Sequence, residues 1–142
     1  MRFRPAIDLD SPDIAQLLTA YDLPASDIAE HLHNFIVVED ETGLIAVGGY
    51  EDCDQYGLIR SFAVKPDYKG QRIAERIFDQ LTEAATDSGK QRFYLLTTSA
   101  SDYFLRLGFA ICERDEVPEC IKATKQFSEL CPGSATVMVR DL

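Results

Sequence analysis

The sequence predicts an α/β fold built on a mixed sheet, and three observations carry that expectation. An apolar run, Leu58 to Val64, passes through a short basic turn directly into an amphipathic segment. In that segment Ile73, Ile77, Leu81 and Ala84 or Ala85 recur at helical spacing, with Gly89 where a C-terminal cap belongs. Phe93-Tyr94-Leu95-Leu96 follows as an uninterrupted apolar run, the pattern of a strand covered on both faces. Strand, turn, helix, strand in this order makes a right-handed βαβ unit.

The remaining elements follow from local chemistry. Phe3 to Ile7 reads as a first strand, and Asp10-Ser11-Pro12-Asp13 supplies an N-cap and an early proline for a helix through Leu17 and Leu18. Leu23-Pro24-Ala25-Ser26 breaks it. Asp27 to Leu32 reads as a second short helix, so Tyr21 to Ser26 becomes a helix-helix connection able to cover a site. Phe35 to Val38 and Leu44 to Val47 flank the polar Glu39-Asp40-Glu41-Thr42-Gly43 as a hairpin, and Tyr56 to Val64 continues the meander. Ser99 to Leu107 is a short helix ended by Gly108, and Phe109 to Cys112 is a strand. Val117 to Leu130 is open between helix and loop, and Pro132-Gly133 turns the chain into a last strand, Ala135 to Val139. The order is β-α-α-β-β-β-α-β-α-β-β, a sheet of about seven strands flanked by about four helices.

At 142 residues the chain is expected to form a single domain, 1–142. A net charge of −10 and a pI near 4.5 argue against a nucleic-acid partner, which needs cations to displace phosphate counterions. The expectation is a cytoplasmic protein without a membrane span, since no apolar leader and no long apolar run occur. Cys53, Cys112, Cys120 and Cys131 lack C-x-x-C spacing, so free thiols and no metal are expected. His31 and His33 read as exposed or capping.

The basic turn carries the chemistry. Backbone N–H groups entering a helix lack internal partners, and the helix dipole adds positive potential, so the turn at Lys69-Gly70-Gln71-Arg72-Ile73-Ala74 suits a pyrophosphate. A plain strand-turn-helix connection with a solvated basic tip shows the same pattern. Val64-Lys65-Pro66-Asp67-Tyr68-Lys69-Gly70-Gln71-Arg72-Ile73-Ala74 resembles the coenzyme-A loop of the GNAT superfamily of N-acetyltransferases, V-x-P-x-[YF]-[QR]-[RG]-x-G-[IL]-[GA]. Lys69 departs from the usual Gln or Arg, and Arg72 from the usual Gly. A positive φ at Arg72 would cost energy, so an ordinary helical N-terminal conformation is expected there. Asp102-Tyr103-Phe104-Leu105-Arg106-Leu107-Gly108-Phe109 resembles the family's second segment, A-x-x-[FL]-Y-x-[KR]-x-G-F. Leu23-Pro24, Asp27, Leu58-Ile59-Arg60-Ser61, Leu95-Leu96-Thr97-Thr98 and Phe127-x-x-Leu130-Cys131-Pro132-x-Ser134-Ala135 look like the small branch encoded with arsenic-resistance genes. Leu96-Thr97-Thr98 with Tyr103-Phe104 and Gly108-Phe109 is similar to the acetylating domain of N-acetylglutamate synthases.

The resemblance implies a GNAT fold and acetyl-CoA-dependent transfer to a small amino-acid-like amine, without a covalent acyl-enzyme. A protein or peptide acetyltransferase and a non-catalytic acyl-CoA-binding module are the alternatives. It implies a cofactor site of Phe62, Ala63, Val64, Lys69, Gly70, Gln71, Arg72, Ile73, Ala74 and Phe104, with the Val64 N–H polarising the acetyl oxygen. It also implies a bulge in Leu58 to Val64 that splays this strand from Phe93 to Thr97. The Glu that many members use as base has no counterpart, since the nearby positions hold Leu58, Arg60 and Ser61. An α-amino group with a pKa near ~8 to 9.5 needs less help than a lysine near ~10.4, which favours a small acceptor. The family's tyrosine position falls on Phe104, leaving the neighbouring Tyr103 as a weak candidate acid or a structural residue. Arg60 is the candidate partner for an acceptor carboxylate, or else pairs with an acidic neighbour. Ser61, Thr97 and Thr98 are neutral donors that could complete the acceptor site, although the two threonines also suit strand termination and helix capping. Cys120 and Cys131 could take a soft arsenical, with nothing in the sequence to fix their geometry. A homodimer through the C-terminal strands is compatible with the fold.

Overall fold

The structure is a computed structural model that describes residues 1–130 and 133–142. Its sheet has seven strands in the order β1-β2-β3-β4-β5-β7-β6. They are β1 (Arg2–Pro5), β2 (Phe35–Asp40), β3 (Gly43–Cys53), β4 (Tyr56–Val64), β5 (Arg92–Thr97), β6 (Ala110–Ile111) and β7 (Thr136–Asp141). The helices are α1 (Ser11–Ala20), α2 (Ile73–Asp87), α3 (Ser101–Arg106) and α4 (Glu119–Lys122). All neighbouring strands are antiparallel except β4 and β5, which run parallel as the βαβ reading requires.

Alternation along the strands sorts side chains between two layers. Phe93 and Leu95 of β5 join Ile73, Ile77, Phe78 and Leu81 of α2, together with Phe104 and Phe109, on one face. Tyr94 lies on the other face with Val117 and Ile121, and Val37, Val47 and Ala63 meet Ile14, Leu17 and Leu18 of α1 on that side. Five residues of α2, Ile73, Ile77, Phe78, Leu81 and Ala85, are buried at helical spacing, and apolar burial is the main force seating the helix. Its end is closed by Gly89 at φ 83, with the Lys90 N–H on the Ala85 carbonyl at 2.9 Å.

Two expectations are corrected in the secondary structure and cross-links, and one open stretch is resolved. Asp27 to Leu32 is not a helix but two 3₁₀ turns, Ile28–Glu30 and Leu32–Asn34. The 117–130 stretch resolves into α4 and a π-helical turn, Gln126–Leu130. Cys53 and Cys120 are disulfide-bonded across 67 residues, with Cα atoms 5.7 Å apart, instead of free. Both side chains belong to the cluster that packs α4 on the sheet, so tertiary packing pairs them where no local spacing could announce it. Cys112 remains free. Cys131 and Pro132 lie outside the described residues, and with them part of the Pro132-Gly133 turn; Cys120, bonded to Cys53, has no thiol to offer a soft arsenical.

Strand β4 carries an irregularity that matters for the site. Its register against β3 is Val47↔Ala63 and then Gly49↔Arg60, so Ser61 and Phe62 face the single Gly48. Ser61 sits at φ 62, the left-handed region, as the extra residue of a bulge. A Cβ on Gly48 would lie 2.8 Å from the Phe62 ring and from Ile77 Cγ2, so only glycine fits beneath the bulge.

Candidate active site

Parallel pairing of β4 with β5 covers only Tyr56↔Arg92, Gly57↔Phe93 and Leu58↔Tyr94. Beyond the bulge the two strands part, and a cavity of about 780 Å³ fills the gap. Its lining includes Gly70, Arg72 and Ile73 where α2 begins, Tyr103 and Phe104 of α3, Tyr21 to Pro24, and Ser61, Thr97 and Thr98. The Tyr21 to Pro24 connection therefore does border a site.

Where the chain runs toward α2, β4 leaves through a 3₁₀ turn, Pro66–Tyr68, anchored by the Tyr68 hydroxyl donating to the Asp40 carboxylate. That bond, together with Thr42, holds the Asp40 carboxyl down at about 2, the Thr42 hydroxyl contributing most. Gly70 at φ 85 and Arg72 at φ 59 then turn the chain into α2. The expected helical conformation at Arg72 is thus corrected: the residue is left-handed, the conformation for which glycine is suited. The first backbone bond of the helix is Arg76 N–H to the Arg72 carbonyl at 3.1 Å. Among the described residues, the N–H groups from Gly70 to Glu75 have no main-chain acceptor, and they face the end of the helix where anions are favoured. Arg72 is exposed and brings a full charge to that point. Lys69 instead stacks its ammonium 5.5 Å from the Tyr21 ring centroid.

In the middle of the gap, the Lys65 N–H bonds to the Ile45 carbonyl at 2.9 Å while Val64 registers with Ala46. Antiparallel alternation then turns the Val64 N–H and carbonyl away from β3, into the gap. The Tyr21 hydroxyl donates to that carbonyl at 2.9 Å. Phe62 and Val64 pack toward α2, whereas Ala63 packs toward α1.

Tyr103 borders the cavity edge-on to Phe104, with ring centroids 5.3 Å apart. Burial pushes its phenol up, and Glu75 adds to the shift against an opposing effect of Arg106, so the group stays protonated at neutral pH. Thr97 Oγ1 accepts the Ala100 N–H at 3.0 Å, making it the cap of the turn into α3 as well as a lining residue. Thr98 is exposed beside it.

Arg60 is the main correction in the site. Its side chain is fully buried, and its guanidinium holds Asp27 through Nη1 at 2.7 Å and Nη2 at 2.5 Å. Nη1 also donates to Glu51 at 2.5 Å, and Nε to Ser61 Oγ at 3.0 Å. With those partners it is not open to an acceptor carboxylate. Burial alone would push the Asp27 carboxyl up, but the bonds and charge of Arg60 outweigh it and hold the carboxyl below its ordinary value. His31 closes the cluster, with Nε2 3.7 Å from Glu51 and 3.9 Å from Asp27, so it is half-buried, not exposed, while its backbone caps the Ile28–Glu30 turn as expected. Asp27, His31 and Glu51 bring ligand-type atoms within 4.8 Å of one another, yet both carboxylates are already engaged by Arg60. Sequence reasoning missed Tyr21, Asp27 and Glu51. An arginine in an apolar strand was the available signal, without its partners.

Comparison with known proteins places this geometry. The family model described as an acetyltransferase (GNAT) domain matches residues 31–111, more than half of the chain. The chain belongs to the GNAT family. An amino-acid acetyltransferase of Neisseria meningitidis is 26% identical to this GNAT domain over 97 residues, 65% of the chain and 22% of that relative. Its counterpart from Yersinia pestis is 28% identical over 89 residues, 61% of the chain and 20% of that relative. The chain thus spans about a fifth of the length of these curated relatives. A Mycobacterium tuberculosis protein solved in complex with CoA and NLQ has a TM-score of 0.82 at 25% identity, covering 100% of this chain and 99% of that one. N-acetylglutamate synthase from Neisseria gonorrhoeae, solved with coenzyme A and N-acetyl-glutamate, has a TM-score of 0.84 at 23% identity, over 99% of this chain and 35% of that one, and shares the fold. No helix among the described residues is long and apolar enough to cross a membrane.

Proposed function

We propose that this GNAT domain transfers the acetyl group of acetyl-CoA directly to the amine of a small, amino-acid-like acceptor. The observation that carries the reading is the parted β4–β5 pair, with the Val64 N–H turned into the gap and a run of unpaired N–H groups at its end. Family membership, and relatives named amino-acid acetyltransferases, support it.

Acetyl-CoA is a substrate here, and it supplies the thioester. The turn N–H groups from Gly70 to Glu75 and the Arg72 guanidinium suit its diphosphate, which needs donors and positive potential together. Of the remaining residues of the cofactor assignment, Phe62, Ala63, Lys69, Ile73, Ala74 and Phe104 line the cavity, and Gln71 lies in the turn between Gly70 and Arg72. The unpaired edge of β4 suits the pantetheine amides as an added strand. The Val64 N–H stabilises negative charge on the acetyl oxygen as the neutral amine attacks, and the proton that the new amide nitrogen must shed passes to water, from which the Tyr103 phenol is later reprotonated. When the carbon-sulfur bond breaks, the raised phenol of Tyr103 supplies a proton to the departing thiolate. Ser61, Thr97 and Thr98 offer hydroxyls at the acceptor end, while Arg60 is excluded from that role by its own ion pairs.

Free-thiol release from acetyl-CoA over a panel of amino acids and peptides tests the reading. Turnover on one or more small amines is the expected result. Turnover on peptides alone, or saturable acetyl-CoA binding with no thiol release on any acceptor, overturns it.

A further inference from the structure

We propose that Arg60 is a positioning residue for acetyl transfer: it locks the β4 bulge to the 21–27 segment, whose first residues line the cavity, and so fixes the direction of the Val64 N–H. The inference rests on the function proposed above. It starts from the alternation of β4. Ile59 packs on the α2 side, and Phe62 and Val64 do so again three and five residues later. That phase is possible only because Ser61 is inserted as an extra residue; in a regular strand Phe62 and Val64 would point to the α1 side, and the Val64 N–H would face β3.

The inserted residue is held in an unfavourable conformation. A serine at φ 62 forgoes the freedom that glycine has there, and such a state persists only where the surroundings enforce it. The enforcing contact is the Arg60 Nε–H bond to Ser61 Oγ at 3.0 Å. The same guanidinium grips Asp27 by its fork and Glu51 of β3 by one arm. Asp27 ends the segment that begins with Tyr21, and Tyr21 returns to β4 by donating to the Val64 carbonyl at 2.9 Å. Segment 21–27 is therefore tied to β4 at Arg60 and at Val64, with the bulge between the two ties.

Stability alone is a weak reason for such a cluster. A buried ion pair recovers little more than its desolvation penalty, and well-packed apolar residues often serve a core as well or better. A bidentate fork with three partners does what apolar packing does not, because it specifies direction.

The test uses Asp27→Asn and Arg60→Lys in the full chain, with acetyl-CoA isotopically labelled at the acetyl carbonyl and its infrared band read on binding. Asp27→Asn retains the shape and the Glu51 pairing; Arg60→Lys retains the charge and loses the fork. In the unsubstituted protein the carbonyl band is expected to move to lower frequency. Each variant is expected to lose at least half of that shift and about tenfold in kcat, while acetyl-CoA affinity stays within about threefold. A purely structural role would lower the melting temperature and leave the shift intact. A folded variant with the full shift overturns the inference, and so does failure of both variants to fold, which would make the cluster a structural cornerstone. If the unsubstituted protein itself shows no shift, the Val64 assignment falls first and takes the inference with it.

Discussion

Replacing Arg72 by glycine and, separately, by alanine isolates the cost of its left-handed backbone. Arg72 sits at φ 59 and ψ 28 with its side chain exposed, and no side chain caps the helix at that point. A residue with a Cβ loses roughly 1–2 kcal/mol in this conformation, and glycine loses almost none. Glycine gives back about 0.4–1 kcal/mol through the greater freedom of its unfolded chain. The glycine variant should therefore be more stable than the alanine variant by about 0.5–1 kcal/mol. With an unfolding entropy of about 2.1 cal/mol/K per residue, that is a melting temperature about 2–3 °C higher. Both variants lose the same charge, so both should bind coenzyme A several-fold more weakly, by about 0.5–1 kcal/mol at low salt. Differential scanning calorimetry and titration calorimetry read the two quantities. An alanine variant as stable as the glycine variant would refute the left-handed assignment, and unchanged coenzyme A affinity in both would refute the phosphate role of Arg72.

Other substitutions and conditions probe the rest of the site and core. Tyr103→Phe should lower kcat by about 10²-fold or less, with acetyl-CoA affinity little changed; steady-state kinetics showing full kcat removes Tyr103 as the proton source. Reduction of Cys53–Cys120 frees a loop of 67 residues, so a thermal melt with dithiothreitol should show a loss approaching about 4 kcal/mol, and an unchanged melt counts against the cross-link. Asp10, held down by Arg4, and Asp27, held down by Arg60 against the effect of burial, ionise more easily in the folded chain than in the unfolded one. Their stabilisation is complete above about pH 4 and is lost as pH falls through their lowered folded values. Urea denaturation from pH 7 down to 2 should show the drop, and Asp10→Asn should reduce its slope.

What was legible in the sequence was whatever depends on near neighbours. Ile73, Ile77 and Leu81 announce α2 because helical periodicity is local, and Phe93 to Leu96 announces a covered strand because both of its faces are apolar. The turn into α2 was legible for the same reason, as its unpaired donors come from consecutive residues. Arg60 was not, because Asp27 lies 33 positions away and Glu51 nine, and nothing in β4 points to either. The Arg72 backbone runs against its steric cost, and the glycine usual at that position in the family is the one local sign of the left-handed region. Asp27 to Leu32 looked helical by composition, yet Asp27 serves Arg60 and Ile28 and Leu32 are drawn into the core beside α1, leaving only 3₁₀ turns.

The strand order has a consequence for biogenesis. β7 inserts between β5 and β6 although it is synthesised after both, and β6 pairs with β7 alone. During translation the growing protein therefore carries β5 with one hydrogen-bonding flank open and β6 with nothing to bind. An unpaired flank invites pairing with other polypeptides, so the nascent molecule is most vulnerable to aggregation in the interval before residues 136–141 clear the ribosome.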